Sequence, residues 1–334
     1  MRTLVGTFRH ASIAFVFLGL LLVGGAPASR AADPVAAAVA WLHTQQLSDG
    51  GFGAGRQSSA GLTADVVYVL ALAGEDPAGP AWTVNGRSAL AALAALASPY
   101  AARDAGQAGK VARAVALTGG DPHNFGGLDL VGVIQAAYDP ATGRYHPNLL
   151  FRHTLAMEGL YRAGVPAPQK AIEALLNAQL PDGGWFWAFA GVEGDVDSTG
   201  RVLQVLAGYA GVRCAAAFDR AAGFLAAGQL ADGGWGVRAG EAPANANSTA
   251  LVVAGLRASG NDPAAARFQK VGRGAVETLL SFQESSGAFV YIQQPGKEEY
   301  RIVATVDALN ALTQPLLQAP VCQPVFLPIL SVRG

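Results

Sequence analysis

The chain has 334 residues, of which 51% are hydrophobic and only 14% are charged, and its formal net charge is −1. Because about a quarter of the residues in ordinary soluble domains are charged, this composition predicts helices that are buried on more than one side. The near-neutral charge and the lack of a basic patch exclude a nucleic-acid-binding protein.

The N-terminus has the layout of a secretory signal peptide over residues 1–31. Arg2 and Arg9 supply positive charge, residues 11–23 form an apolar run, and small residues follow as far as Ala31. We expect cleavage after Ala28 or Ala31 and a secreted or cell-surface protein, with a retained signal anchor as the alternative. The apolar run is too short for a stable membrane span.

A seven-residue phrase then occurs four times, each time after an Ala- and Leu-rich segment. It consists of Gln, two variable residues, Asp, two Gly and an aromatic residue, and its last copy is degenerate. Asp followed by Gly predicts a turn, because Gly adopts positive φ and Asp bonds to nearby backbone. The copies begin at Gln46, Gln179, Gln229 and Gln283, and the aromatic residues of the second and third are Trp185 and Trp235.

The spacing of these copies predicts six repeats. The last three copies are 50 and 54 residues apart, and the 133 residues between the first two leave room for two degenerate units. After each phrase we expect a Thr to start an apolar helix that ends at Gly. Helices of this kind are predicted at residues 63–74, 154–164, 199–211 and 249–260. The second unit, residues 110–120, lacks the Thr start, and a sixth segment from Thr305 lacks the Gly end.

Residues 314–334 form an apolar tail that prolines interrupt. Proline prevents helix continuation, and the apolar run is too short to cross a bilayer. A tail packed along the domain and a short sorting signal both remain open. Cys214 and Cys322 could pair in an exported protein, but two cysteines alone do not determine a disulfide.

The repeated phrase resembles the repeat of the terpenoid cyclase and protein prenyltransferase superfamily. In that repeat an aromatic and an aliphatic residue precede the Gln, as Trp41 and Leu42 precede Gln46 and as Phe224 and Leu225 precede Gln229. The resemblance implies an all-α fold over residues 32–313. About six helical hairpins would close into an α/α toroid, with inner helices around a central cavity. Closing the ring hides both apolar faces of every hairpin.

The segment that begins at Asp195 is similar to the Asp-x-Asp-Asp-Thr motif of squalene-type cyclases. The resemblance implies that Asp197 is a general acid that protonates a double bond, with Asp195 beside it, although Ser198 replaces the last Asp. The fifth repeat has Asn247 where the fourth has Asp197. Since Asn and Asp are both common helix N-caps, a capping role for Asp197 remains open.

Other candidate residues are placed near Asp197 by the repeat pattern. Arg152 and His153 precede the third inner helix and are expected to contact Asp197 at one end of the ring, and Asn247 is expected to bind ligand. The aromatic residues of the fourth loop predict either a ligand-facing lip or a packed loop. They are Phe186, Trp187 and Phe189.

Other chemistries of α/α barrels find less support in the sequence. The zinc site of the prenyltransferases that this fold resembles is not matched, because Cys214 lacks the partnering Asp, so we expect neither a metal nor another cofactor. A glycosidase needs two opposed carboxylates. The sequence does not place Asp65, Asp197 and Asp307 relative to one another.

Two functions follow from this pattern. The first is a monomeric, secreted toroid that binds a hydrophobic or amphipathic small molecule, such as a cobalamin, or an extracellular partner, without catalysis. The second is a terpenoid cyclase or isomerase that uses Asp197 as general acid. We favour the first because the chain contains one toroid, whereas the squalene cyclases it resembles carry a second helical domain.

Overall fold

The structure, a computed structural model, describes residues 33–209, 216–292 and 300–317. The expected signal peptide, Cys214, Cys322 and most of the C-terminal tail lie outside these residues. Within the described ranges, the helices are all too short or too polar to span a lipid bilayer.

The described residues form twelve α-helices, which confirms the all-α fold. They are α1 Pro34–Thr44, α2 Ala60–Leu72, α3 Ala89–Ala101, α4 Ala105–Leu117, α5 Leu130–Ala136, α6 Leu150–Arg162, α7 Gln169–Asn177, α8 Val196–Leu206, α9 Ala216–Ala227, α10 Ala246–Ala258, α11 Ala275–Ser281 and α12 Arg301–Thr313. Two short antiparallel hairpins precede α3 and α11. They pair β1 Thr83–Val84 with β2 Arg87–Ser88, and β3 Gln269–Lys270 with β4 Arg273–Gly274.

The even-numbered helices form a closed inner ring. Each of them contacts the next even-numbered helix, and α12 contacts both α2 and α1, so that the sixth hairpin meets the first. The even-numbered helices are buried over most of their circumference, whereas a helix such as α1 buries only one side. This difference explains the low charged fraction, because six helices have little contact with solvent.

Glycines allow two pairs of inner helices to approach closely. A Cβ atom on Gly159 of α6 would lie 2.5 Å from the Cα of Gly109 in α4. A Cβ atom on Gly255 of α10 would lie 2.5 Å from the carbonyl oxygen of Gly200 in α8. Both distances are too short for any side chain, so these contacts require Gly on both helices.

The glutamine of the repeated phrase joins each hairpin to the next. Its Nε2 atom donates to a Gly carbonyl within its own turn and to a carbonyl group in the following repeat. The acceptors in the following repeats are Trp82 for Gln46, Ala217 for Gln179 and Phe268 for Gln229. For Gln283 the acceptor is the carbonyl oxygen of Pro34, at 2.8 Å, so the last repeat is bonded to the first.

The aromatic residue of the phrase packs back on the helix that precedes it. Trp185 and Trp235 are fully buried, and their indole N–H groups donate to the carbonyls of Leu175 and Leu225 in α7 and α9. Their backbone N–H groups donate to threonine hydroxyls of the next inner helix. The phrase therefore connects the outer and inner helices of one hairpin.

The prediction that threonines start the inner helices is wrong. The helix that contains Thr199 begins earlier, with Asp195 as its N-cap, and Asn245 caps the helix that contains Thr249. Each of these threonines lies one turn inside its helix. Its hydroxyl accepts a hydrogen bond from the aromatic residue's backbone N–H, and that of Thr199 donates to the Asp195 carbonyl. Such a bond to the preceding turn is common for Thr inside a helix.

We expect the Gln283→Ala variant to be less stable by about 1–2 kcal/mol, because it loses two hydrogen bonds, one of which joins the ends of the ring. Amide hydrogen exchange of α1 should increase more than that of α6. Urea denaturation and exchange mass spectrometry measure both effects. Gln169→Ala, at an exposed position of α7, is the control and should change neither. Unchanged exchange in α1 would contradict the role of this contact in ring closure.

Candidate functional site

All six inner helices contribute to a cavity on the axis of the ring, and one residue of each lies at an equivalent position. The cavity has a volume of about 180 Å³, which is smaller than the 300–1,000 Å³ typical of pockets for drug-sized ligands. The six residues occupy equivalent positions, two residues after the buried Thr or its counterpart. They are Asp65, Lys110, Leu155, Arg201, Leu251 and Asp307.

The cavity opens at the end of the ring where the inner helices begin, which we call the mouth. Phe151 and Val303 line the mouth, one helical turn before Leu155 and Asp307. Asp197 and Asn247 occupy the equivalent positions in α8 and α10, one turn before Arg201 and Leu251. The side chains of Phe151 and Val303 are 41% and 40% exposed. The mouth therefore presents two large apolar side chains to solvent.

A chain of charged side chains crosses the axis below the mouth. The Asp65 carboxylate accepts hydrogen bonds from Lys110 at 2.6 Å and from Arg113 at 2.8 Å. Arg113 also donates to Glu158 at 2.9 Å, and Arg201 donates to the same carboxylate oxygen. We call these five residues the axial network. The ring therefore encloses a charged network rather than an apolar, aromatic-lined interior.

Glu158 is the centre of the axial network. Its second oxygen accepts a hydrogen bond from the Tyr68 hydroxyl at 3.0 Å, and the Arg113 guanidinium lies 4.3 Å from the centre of the Tyr68 ring. Burial by itself raises the pKa of the Glu158 carboxyl, but the guanidinium groups of Arg201 and Arg113 outweigh it and hold the pKa at about 2. Glu158 is therefore a permanently charged partner of two buried arginines.

Asp197 lies at the mouth and does not cap its helix. The capping carboxylate is Asp195, which accepts hydrogen bonds from the backbone N–H and the hydroxyl of Ser198. Among the described residues, no hydrogen bond joins Asp197 to the amides of Gly200 or Arg201, and one of its buried oxygens has no partner. The capping role considered for Asp197 therefore belongs to Asp195.

The environment of Asp197 favours its protonated form. Burial raises the pKa of the Asp197 carboxyl to about 6, and the nearby Asp195 adds to this effect, while a hydrogen bond with Ser248 partly offsets it. A carboxyl with this pKa carries a proton at mildly acidic pH. A strongly shifted pKa at an opening is typical of functional carboxyls.

Asp307 is a second carboxyl with an altered pKa beside the mouth. Burial and, to a lesser extent, the charge of Asp65 raise its pKa to about 7, although Asn247 donates a hydrogen bond to it at 2.7 Å. Asn247 occupies in α10 the position of Asp197 in α8. Of the three aspartates that the sequence left unplaced, Asp65 and Asp307 line the cavity, and Asp197 lies near enough to Asp307 to raise its pKa.

His153 is not available to a ligand. It is fully buried, its Nδ1 accepts a hydrogen bond from the Tyr145 backbone N–H, and its Nε2 lies 3.1 Å from the Ala171 carbonyl. Burial lowers its pKa to about 4, so the ring is neutral with its proton on Nε2. His153 takes the place of the buried Thr in the third repeat, which explains its position.

The expected contact between Arg152 and Asp197 is not formed. The Arg152 guanidinium instead donates to Asp104, the N-cap of α4, at 3.0 Å. Arg152 therefore joins the beginnings of α4 and α6, because these two helices are packed closely and α8 is farther from it.

The three aromatic residues of the fourth loop have different surroundings. Trp187 is 52% exposed, and its carbonyl accepts a hydrogen bond from the Phe151 backbone N–H at the mouth. Phe186 packs on Trp187 and lines an open cleft of about 940 Å³ between the loops of the fourth and fifth repeats. Phe189 is covered by the Arg144 guanidinium at 3.9 Å. Only Trp187 extends the apolar surface of the mouth.

Apart from Asp65, the residues of the axial network were not predicted from the sequence. They are charged residues within buried inner helices, and these charges were the available signal, although α6 and α8 also carry other charged residues. In the described part of the chain, no three His, Cys, Asp or Glu residues are grouped so that they could hold a metal ion.

Comparison of the structure with solved structures identifies the fold. It is similar to the type II terpene cyclase MstE from Scytonema, with a TM-score of 0.57 and 14% sequence identity over 84% of this chain and 96% of that one. A variant of MstE in complex with its substrate, geranylgeranyl dihydroxybenzoate, has a TM-score of 0.58. The ent-copalyl diphosphate synthase of Streptomyces platensis has a TM-score of 0.52 and 20% identity over 76% of this chain and 50% of that one.

A glycosidase variant also has this fold, with a TM-score of 0.54 and 13% identity over 84% of this chain and 95% of that one. No protein-family model and no curated protein sequence matches the chain. These similarities confirm an α/α toroid fold like that of the terpene cyclases. Proteins that share this fold differ in chemistry, so function has to be inferred from the site.

Proposed function

We propose that this toroid, which has the fold of the terpenoid cyclase superfamily, binds a hydrophobic or amphipathic isoprenoid at its mouth and that Asp197 donates a proton to it. The observation that carries the proposal is the state of Asp197. It has a pKa raised to about 6, one oxygen without a partner in the described residues, and a position in α8 equivalent to those of Phe151 and Val303 at the mouth.

The proposed step is the protonation of a carbon–carbon double bond. The Asp197 hydroxyl transfers its proton to one carbon, and the substrate later loses a proton from another carbon, which gives an isomer. Water returns a proton to Asp197. Because a general acid works best when its pKa is near the working pH, we expect activity to fall above about pH 6, as Asp197 becomes ionised.

Apolar side chains at the mouth support the binding of such a substrate. Phe151, Val303 and Trp187 are all more than a third exposed. The substrate of MstE in the similar structure combines a geranylgeranyl chain with a polar aromatic group. A molecule of this class would place its chain on the three apolar side chains and one double bond near Asp197.

Binding without catalysis is the second candidate function. The positive charges of Lys110, Arg113 and Arg201 lie directly below the mouth and would raise the energy of a carbocation there. The small cavity also leaves no room for a folded polyprenyl chain. The ligand would then be a hydrophobic small molecule, such as a corrinoid, or an extracellular partner that is bound and released unchanged.

The test compares the wild type with Asp197→Asn. The purified proteins are incubated with geranylgeraniol, geranylgeranyl dihydroxybenzoate and cobalamin, and bound and altered species are read by mass spectrometry. We expect isomerised isoprenoid with the wild type and a rate at least about a hundredfold lower with Asp197→Asn, while binding is retained. Glu193→Gln removes an exposed charge from the loop before α8 and should behave as the wild type.

Two outcomes would overturn the proposed proton transfer. One is an Asp197→Asn variant that forms product at the wild-type rate. The other is a wild-type protein that binds an isoprenoid or cobalamin but never alters it, which would establish the second candidate instead.

A further inference from the structure

We propose that the axial cavity is a binding site for a short-chain carboxylate, held by the guanidinium groups of Arg113 and Arg201. The site lies below the mouth, on the axis of the ring. It does not depend on the proton transfer proposed for Asp197, and it uses different residues.

Positive charge exceeds negative charge in the axial network. The two guanidinium groups donate to the same oxygen of Glu158, and Arg113 shares Asp65 with Lys110. Three cations therefore have two carboxylates between them. Arg113 and Arg201 are only 6% and 4% exposed, so water does little to compensate the excess charge. Asp307 also lines the cavity, but it is protonated below its pKa of about 7. At such pH the buried excess of one positive charge favours a monovalent anion.

Buried polar atoms around the cavity lack hydrogen-bond partners. In the described part of the structure, these atoms are the Nε–H groups of Arg113 and Arg201 and the Oδ1 atom of Asn310. All three residues line the cavity. Since buried polar groups are nearly always hydrogen-bonded in native proteins, these atoms indicate a bound polar molecule. Carboxylate oxygens match guanidinium donors, and a hydroxyl group on the ligand matches the Asn310 oxygen.

The rest of the cavity wall is apolar. Four aliphatic side chains line it, those of Val69, Leu155, Leu251 and Val306. The volume of about 180 Å³ equals that of about six water molecules. An aliphatic acid of about four or five carbons matches both the volume and the apolar wall, whereas a phosphate dianion matches neither the apolar wall nor the single excess charge. Access is through the mouth, where Phe151 and Val303 line the same opening.

The titratable groups around the site predict the pH dependence of binding. Burial raises the pKa of Asp307 to about 7 and that of Asp197 to about 6, so both lose their charge as the pH falls. Their ionisation adds negative charge and weakens anion binding. We therefore expect tighter binding at pH 5.5 than at pH 8. The charged and titratable groups that face the site are Asp65, Tyr68, Lys110, Arg113, Glu158, Arg162, Asp197, Arg201 and Asp307.

The experiment is a calorimetric titration of the full chain at pH 5.5 with 2-hydroxy-3-methylbutanoate and 3-methylbutanoate. The alcohol and the amine of the same carbon skeleton are the neutral and cationic controls. We expect one saturable site for the acids, and no binding of the amine. Arg201→Met should weaken acid binding at least about tenfold, and Arg238→Met, at an exposed loop position, should leave it unchanged.

Leu251→Phe is the second variant, because it fills the cavity and keeps every charge. It should abolish binding of the acids, and thermal melting verifies that each variant is folded. The proposal is overturned if the acids show no saturable binding, if the amine binds as tightly, or if folded Leu251→Phe binds like the wild type. Asp197→Asn should retain acid binding, so a failure of this site is distinguishable from a failure of the proposed proton transfer.

Discussion

Replacing Glu158 with Gln is expected to lower the free energy of unfolding by about 3–5 kcal/mol. The Glu158 carboxylate is the shared acceptor for Arg113 and Arg201 and also accepts the Tyr68 hydroxyl. Glutamine keeps the shape of the side chain but removes its charge. The network then contains three cations, Lys110 and the two buried guanidinium groups, and one carboxylate, that of Asp65. Removing one partner of a buried ion pair is costly because the remaining charge is neither hydrated nor compensated.

Urea denaturation at pH 7 measures this effect, and Glu193→Gln is the matched control. Glu193 is exposed in the loop before α8, and surface substitutions of this kind change stability by less than about 0.5 kcal/mol. A loss of less than about 1 kcal/mol in Glu158→Gln would contradict the central role of the axial network.

The pH dependence of stability provides a further check of the same residue. The pKa of Glu158 is about 2 in the folded protein, against an ordinary value of 4.5. Because the folded pKa is depressed, the stabilisation is fully present above pH 4.5 and is lost as the pH falls towards 2. The wild type should therefore lose about 3 kcal/mol over this window through Glu158, and Glu158→Gln should lack this contribution.

Replacing Trp235 with Ala is expected to lower the free energy of unfolding by about 3–5 kcal/mol. Trp235 is fully buried between the outer and inner helices of the fifth repeat, and its indole N–H donates to the Leu225 carbonyl at 2.8 Å. The substitution leaves a cavity at the junction of α9 and α10 and a carbonyl group without its donor. Both losses follow from the close packing of protein interiors.

Trp187→Ala is the control for Trp235→Ala, because Trp187 is 52% exposed. It should cost less than about 1 kcal/mol in denaturation. The same variant should weaken binding of isoprenoids at the mouth if Trp187 contributes to the apolar surface. Equal losses of stability for the two variants would contradict the prediction that Trp235, as part of the repeated phrase, contributes more to stability than the exposed Trp187.

The repeat pattern predicted the toroid because its signals are local. The turn, the Gln and the aromatic residue each act within one hairpin or on the next one along the chain, as Gln229 does when it bonds to Gly233 and Phe268. Closure of the ring followed from the apolar faces that an open chain of hairpins would expose. The structure meets this expectation at the contact between Gln283 and Pro34.

Helix boundaries and site contacts were predicted less well. The Thr residues that we expected at helix starts lie one turn inside, because their hydroxyls bond to the aromatic residue's amide rather than to the helix terminus. His153 was expected at the mouth, yet its spacing from Tyr145 places it in the same buried position as those threonines. Only the superposition of the repeats in space shows that His153 of the third repeat is equivalent to the threonines of the others.

The sequence by itself determined the number of repeats and their order, because each repeated phrase consists of residues close together in the chain, and the closed ring was implied by the family that the phrase resembles. Only the tertiary structure decided what the ring encloses. Glu158 meets Arg113 from 45 residues away and Arg201 from 43 residues away, and these meetings depend on which side of each helix faces the axis. Charged residues outside the axial network also lie in these helices, such as Arg152 in α6 and Asp197 in α8, so the charge pattern of the sequence does not identify the side that faces inward.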